Sequence, residues 1–244
     1  MVRPRYGHAA GRKIPPRRRT AAPRRLGGAE ATRAPRPCHD RARRRVREAL
    51  PKGETGPMRL FAAVVPPETP VAELAGATAA LRGLPGADRL RWTEPAGWHF
   101  TLAFLGEVDP ALLPELTERL GRAAHRHPPH ELRFAGGGRF GDRILWVGAD
   151  GERTILRDLA RSAAAGARRA GVAVDATHDF HPHLTLARAA GPVHLRPYAE
   201  SLAGFSGTPW TVHRLELMRS RLPGGGVPGE RPRYETVAVW ELGG

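Results

Sequence analysis

Cysteine is nearly absent: Cys38 is the only one in the chain. A single thiol closes no disulfide within the chain and supplies no cysteine-based zinc site. Such usage fits a reducing cytoplasm. No apolar run approaches the roughly 18–20 residues that a membrane span needs. The N-terminus lacks the apolar stretch of a secretory signal. Two enzyme signatures are missing as well. Gly136-Gly137-Gly138 is not followed by the Gly-Lys-Ser/Thr of a nucleotide-binding loop, and a hairpin turn explains it. Ser162 has no Gly-x-Ser-x-Gly setting, so serine hydrolase chemistry is unsupported.

What the chain has in excess is positive charge, +15 in total, and it is unevenly placed. Residues 1–57 hold 17 Lys and Arg against 4 Asp and Glu, whereas residues 58–244 hold 22 against 20. The pI near 11.5 therefore belongs to the N-terminal segment. That segment is rich in Arg, Pro and Ala and poor in large apolar residues, so burial cannot offset the backbone entropy of folding. Residues 1–57 are expected to be a basic, disordered extension, and 58–244 the folded domain. Three readings of the extension stay open: a nucleic-acid-binding arm, a targeting peptide, or a segment outside the working protein. Met58 opens a well-patterned stretch and would serve as a start.

From Met58 onward, strands and helices alternate. The pattern predicts strands at 60–65, 90–93, 98–105, 131–135, 143–147, 183–187, 211–220 and 234–240, and helices at 70–84, 110–124 and 152–170. The class is α+β with mainly antiparallel pairing. The order roughly repeats, as two lobes related by duplication would.

One tetrapeptide also repeats. Trp98-His99-Phe100-Thr101-Leu102 and Pro182-His183-Leu184-Thr185-Leu186 each contain His-x-Thr-Leu. From the His, Thr and Leu content, one copy is expected by chance about 0.06 times. Side chains two apart on a strand share a face. His99 therefore points with Thr101 and His183 with Thr185, while Phe100, Leu102, Phe104, Leu184 and Leu186 point into the layer behind. If the lobes face each other, a cleft holds two imidazoles and two hydroxyls. That set suits phosphodiester hydrolysis without metal: one neutral His activates water, the other, protonated, protonates the leaving oxygen. The hydroxyls bond the non-bridging phosphoryl oxygens. A strand His capping a packed layer is the bland alternative for either motif alone. Metal binding by His178, Asp179, His181 and His183 is a rival, weakened by the intervening Pro182. No metal and no cofactor are expected.

With these motifs and their flanks, Arg59-Leu60-Phe61-Ala62-Ala63, Phe104-Leu105-Gly106, Phe180-His181, Arg188, and Leu217–Leu222 followed by Tyr234, the chain from Met58 to Glu241 resembles the 2H phosphoesterases. Within them it is similar to the RNA 2',3'-cyclic phosphodiesterases, formerly called 2'-5' RNA ligases. The resemblance implies a bilobal fold, two mainly antiparallel sheets lining a central cleft with helices outside. It implies hydrolysis of a terminal 2',3'-cyclic phosphate to a 2'-phosphomonoester. By position it makes His99 the proton donor and His183 the proton acceptor, with Thr101 and Thr185 gripping phosphate. Phe61 is a candidate for stacking on a base, an ordinary core role being the alternative. Arg188 is a candidate phosphate contact; strict alternation sets it opposite His183, so it would have to lie past the strand end. The expected partner is RNA ending in a cyclic phosphate, or a cyclic nucleotide, and the expected state is a cytoplasmic monomer. Two other functions remain open: 2'-5' RNA ligation and RNA-end binding without turnover. The five tryptophans are read as core or cleft-rim residues, and His125, His127, His130, His194 and His213 as ordinary surface or loop histidines.

Overall fold

The computed structural model describes residues 56–174, 179–221 and 232–243. The expected extension lies outside the described residues except at its last two positions, as do His178 and the Gly-rich stretch 223–229.

Two antiparallel sheets carry the fold. The first has the order β3-β1-β8-β9, from β1 (Met58–Val64), β3 (Phe100–Val108), β8 (Arg214–Arg221) and β9 (Arg233–Glu241). The second has the order β2-β6-β5-β4-β7, from β2 (Leu90–Trp92), β4 (His130–Phe140), β5 (Ile144–Gly151), β6 (His183–Ala189) and β7 (Trp210–Val212). Each sheet holds one His-x-Thr-Leu segment, but the sheets are not simply the two halves of the chain. The C-terminal strands β8 and β9 complete the first-motif sheet, and β2 edges the second. The strand expected over 211–220 divides at His213, and its two pieces serve different sheets.

The helices are α1 (Glu68–Leu81), α2 (Leu113–His125), α3 (Arg153–Arg169) and the short α4 (Arg196–Ser201). Composition did not announce α4, which has only six residues. Helix α3 buries Leu156, Leu159, Ala160, Ala163, Gly166 and Ala167, a single helical stripe. It packs on α2 and on β3. Gly166 lets the two helices approach: an added Cβ would sit 3.3 Å from the Arg119 carbonyl oxygen.

Both motif strands bury the layer expected behind the histidines. Phe100, Leu184 and Leu186 are fully buried and Leu102 nearly so. Phe104 is a correction, being 63% exposed. The cause is a bulge. Ala63 pairs with Thr101 and Ala62 with Ala103, so Leu102 has no partner and the alternation shifts by one. The second motif does the same at the same position. Trp146 pairs with Thr185 and Leu145 with Ala187, leaving out Leu186. The shift returns Phe104 to the face of Thr101 and Arg188 to the face of Thr185.

The glycine triplet is also corrected. Gly136-Gly137-Gly138 runs inside β4, and the hairpin turns after Phe140. These glycines make room. A Cβ on Gly137 would lie 2.4 Å from Leu202 Cβ, and one on Gly138 would lie 2.1 Å from the Trp146 ring.

Leu184 lies directly behind His183 with no solvent exposure. Leu184→Ala is expected to lower the unfolding free energy by about 2–5 kcal/mol in urea denaturation. A change below about 1 kcal/mol would mean that this layer is not packed as described.

Candidate functional site

Each motif histidine stands where its strand begins, and the local backbone fixes its ring. His99 Nδ1 is 2.8 Å from the Gly97 carbonyl oxygen, and His183 Nδ1 is 2.8 Å from the His181 carbonyl oxygen. A carbonyl only accepts, so Nδ1 carries the proton in both rings and Nε2 keeps its lone pair. The two sites repeat each other: the same nitrogen, the same partner two residues earlier, the same bulge three residues later. His130 makes a similar contact to the Pro128 carbonyl, at 3.2 Å. It is 1% exposed at the start of β4, which corrects its reading as a surface residue. The backbone contact is thus a property of histidine at a strand entry. What the ring faces decides its use.

His99 and His183 lie within electrostatic reach of each other. Strands β3 and β6 approach where the sheets meet, and Thr101 and His183 line one cavity. The charge of Arg188 acts on both rings, and that of His183 acts on His99. Arg188 sits within β6, paired with Arg91 and Ile144. The expectation that it must lie beyond the strand end is overturned by the bulge, which a strict period of two cannot show. Neither Thr101 nor Thr185 engages its hydroxyl with a protein partner among the described residues.

Aromatic rings flank each imidazole. Phe61 stacks on His99 at 4.7 Å between centroids, and Tyr234 meets it edge-on at 5.1 Å. Phe140 meets His183 edge-on at 4.8 Å, and Trp146 lies at 6.4 Å. Phe61 is 3% exposed and forms a small cluster with Ala63, Met218 and Tyr234 apart from the main core. The ring considered for a base thus meets an imidazole. Gly97 permits the approach of Tyr234, since a Cβ there would lie 3.3 Å from that ring. Tyr234 entered the sequence reading only as part of the resemblance, Trp146 only as a core or cleft-rim tryptophan, and Phe140 not at all; each comes from a strand distant in sequence.

Burial among these rings disfavours the charged imidazole. It pushes His99 down to about 4, with smaller contributions in the same direction from Arg188 and His183, while the Gly97 hydrogen bond opposes the shift. His183 is lowered as well, chiefly by desolvation and then by the charges of His181 and Arg188. At neutral pH the free cleft therefore holds two neutral imidazoles beside one guanidinium. Among the described residues, no three His, Cys, Asp or Glu side chains are grouped as a metal ion requires. No helix among them is long and apolar enough to cross a membrane.

The model of the 2'-5' RNA ligase superfamily matches residues 66–223, which include both motifs. The chain belongs to that superfamily. A relative from Geobacillus stearothermophilus named RNA 2',3'-cyclic phosphodiesterase is 32% identical over 156 residues, covering 62% of this chain and 47% of the relative. One of the same name from Archaeoglobus fulgidus is 34% identical over 112 residues, covering 44% of this chain and 61% of the relative. The chain thus spans about half to three-fifths of the length of these curated relatives. Among solved structures, Escherichia coli LigT complexed with 3'-AMP superposes with a TM-score of 0.60 at 26% identity, covering 77% of this chain and 98% of LigT. A Thermus thermophilus protein gives 0.60 at 30% identity, covering 76% and 98%. The superfamily member described here shares with these proteins the α+β architecture of two antiparallel sheets.

The depressed His99 pKa has a consequence for stability. The unfolded chain takes up a proton at His99 near pH 6.5, while the folded chain waits until about pH 4. Stability from this group is complete above about pH 6.5 and is lost as pH falls toward 4, by on the order of 3 kcal/mol. The urea midpoint of the wild type should fall more steeply between pH 7 and pH 4.5 than that of His99→Asn. Parallel curves would contradict the buried, neutral ring.

Proposed function

We propose that this protein hydrolyses the 2',3'-cyclic phosphate at an RNA 3' end to a 2'-phosphomonoester by two-histidine acid–base catalysis. The observation that carries this reading is the pair of Nδ1-anchored imidazoles, one from each sheet, with their Nε2 atoms left for a ligand. The names of the relatives point to the same substrate class.

His183 Nε2 takes a proton from water as the water oxygen attacks phosphorus. The P–O3' bond breaks, and the 3'-oxygen takes the proton from His99 Nε2. The products are a 2'-phosphate and a 3'-hydroxyl, with His183 protonated and His99 neutral; exchange with solvent restores the pair. Thr101 and Thr185 donate to the non-bridging oxygens as charge gathers there. Arg188 adds a full positive charge at the same place. In the free cleft His99 is neutral at pH 7, so its proton must arrive with the substrate. An anionic phosphate between the rings offsets Arg188 and favours the imidazolium, raising the pKa of the donor when it is needed. Phe61 and Tyr234 act through His99, holding its ring against the strand entry. All these groups belong to one chain, which fits a monomer, and the scarcity of cysteine fits a cytoplasmic setting.

A short RNA ending in 2',3'-cyclic phosphate should be converted to the 2'-phosphate product, with turnover persisting in EDTA. His99→Ala and His183→Ala should each lower kcat by about 10²–10⁴-fold, and the double variant by much less than the product of the two losses. Full turnover by either single variant would refute the mechanism. Supplying an RNA with a free 5'-hydroxyl and finding joined product would reveal ligation through the same groups.

A further inference from the structure

A groove of about 810 Å³ opens directly from the cleft and runs between β3 and α3. It shares Thr101 and His183 with the histidine site, so the two are continuous. Beyond them its walls carry Phe104 from β3 and Arg157, Arg161 and Arg168 from α3. The arginine positions lie at i, i+4 and i+11, one stripe of the helix, set beside the stripe that faces the core. All three are exposed. Arg161 pairs with Asp158 at 3.1 Å on its own helix. Arg157 and Arg168 have no acidic partner among the described residues. Among the described residues Asp179 is the one carboxylate on the wall, against three arginines.

The stripe is about 16 Å long at the helical rise, the reach of a few nucleotides. Phe104 occupies the place in the first motif that Arg188 holds in the second, five residues past the histidine and after the same bulge. Its ring is the most exposed large apolar side chain among the described residues, at 63%. A bare aromatic face beside a basic track is the combination that binds single-stranded nucleic acid without regard to sequence. The volume also exceeds what one terminal phosphate fills.

We propose that this groove holds the nucleotides on the 5' side of the reacting end, with Arg157, Arg161 and Arg168 on their phosphates and Phe104 stacked on a base. The inference rests on the cyclic-phosphodiesterase reading for the position of the 3' end. It makes the protein selective for RNA strands over cyclic mononucleotides.

The test measures binding, so it does not depend on turnover. Fluorescence anisotropy would follow a labelled single-stranded oligoribonucleotide ending in 2'-phosphate across a range of salt concentrations. It would compare the full chain with the Arg157→Gln/Arg161→Gln/Arg168→Gln variant. The basic N-terminal segment is common to both proteins and cancels in the comparison, and glutamine keeps the helix propensity. The log–log salt slope of the wild type should be steeper by about 2, as three phosphate contacts on a single strand require. Phe104→Ala should weaken oligonucleotide binding about tenfold. Equal slopes for wild type and triple variant would overturn the proposal, as would unchanged affinity in Phe104→Ala. Hydrolysis of a short RNA ending in 2',3'-cyclic phosphate by the wild type is measured alongside. Its absence would count against the enzymatic reading, while the slopes would still decide the groove.

Discussion

The site depends on one short hydrogen bond made twice. An imidazole at a strand entry gives its Nδ1 proton to the carbonyl two residues back, and the ring loses both its tautomeric and its rotational freedom. Nε2 is then the only nitrogen that can meet a ligand, in the neutral ring as a base and in the cation as an acid. The bond is local and costs little to build, as its occurrence at His130 shows. Its functional value comes from the sheets, which turn two such strands toward one cleft.

The bulge after each motif is the second device. Without it, residues five past the histidines would point into the packed layer. With it, Arg188 is returned to the cleft in one lobe and Phe104 to the open groove in the other. The same backbone irregularity thus places a cation near the two imidazoles and an aromatic ring in the groove beyond them. Behind the bulges, Leu102 and Leu186 fill the core, so that a slip of the register would expose apolar groups and bury Arg188. Packing in this way protects the geometry of the cleft. The aromatic rings around the histidines then set their basicity. They desolvate both imidazoles and favour the neutral rings.

Much of this was legible in the chain. The repeated His-x-Thr-Leu marked both strands, the shared face of His and Thr, and the apolar layer behind them. The strand and helix sequence was readable because burial imposes its periods of two and of 3.6 on the residues. The misreadings share one cause, which is that local pattern carries no information about irregular pairing. Phe104 was assigned inward and Arg188 beyond the strand because a bulge leaves no mark on strict alternation. The glycine triplet looked like a turn, but it clears space for Trp146 and Leu202, contacts set by distant strands and helices. Residues 211–220 read as one strand because nothing in their composition marks the change of sheet at His213. Tyr234, Phe140 and Trp146 reach the histidines only through tertiary structure. The arginine stripe of α3 is visible in sequence as helical spacing, but its place beside Thr101 is not.

The proposed chemistry requires His99 and His183 to present Nε2 to the same phosphate. Histidine ring nitrogens observed by ¹⁵N NMR test it directly, with the free protein compared with a complex of a 2'-nucleoside monophosphate at pH 7. The expected result is two neutral Nδ1–H rings in the free protein, both perturbed at Nε2 by the phosphate and at least one driven toward the imidazolium. A spectrum in which the ligand shifts only one of the two, or in which either ring carries its proton on Nε2 in the free state, would contradict it.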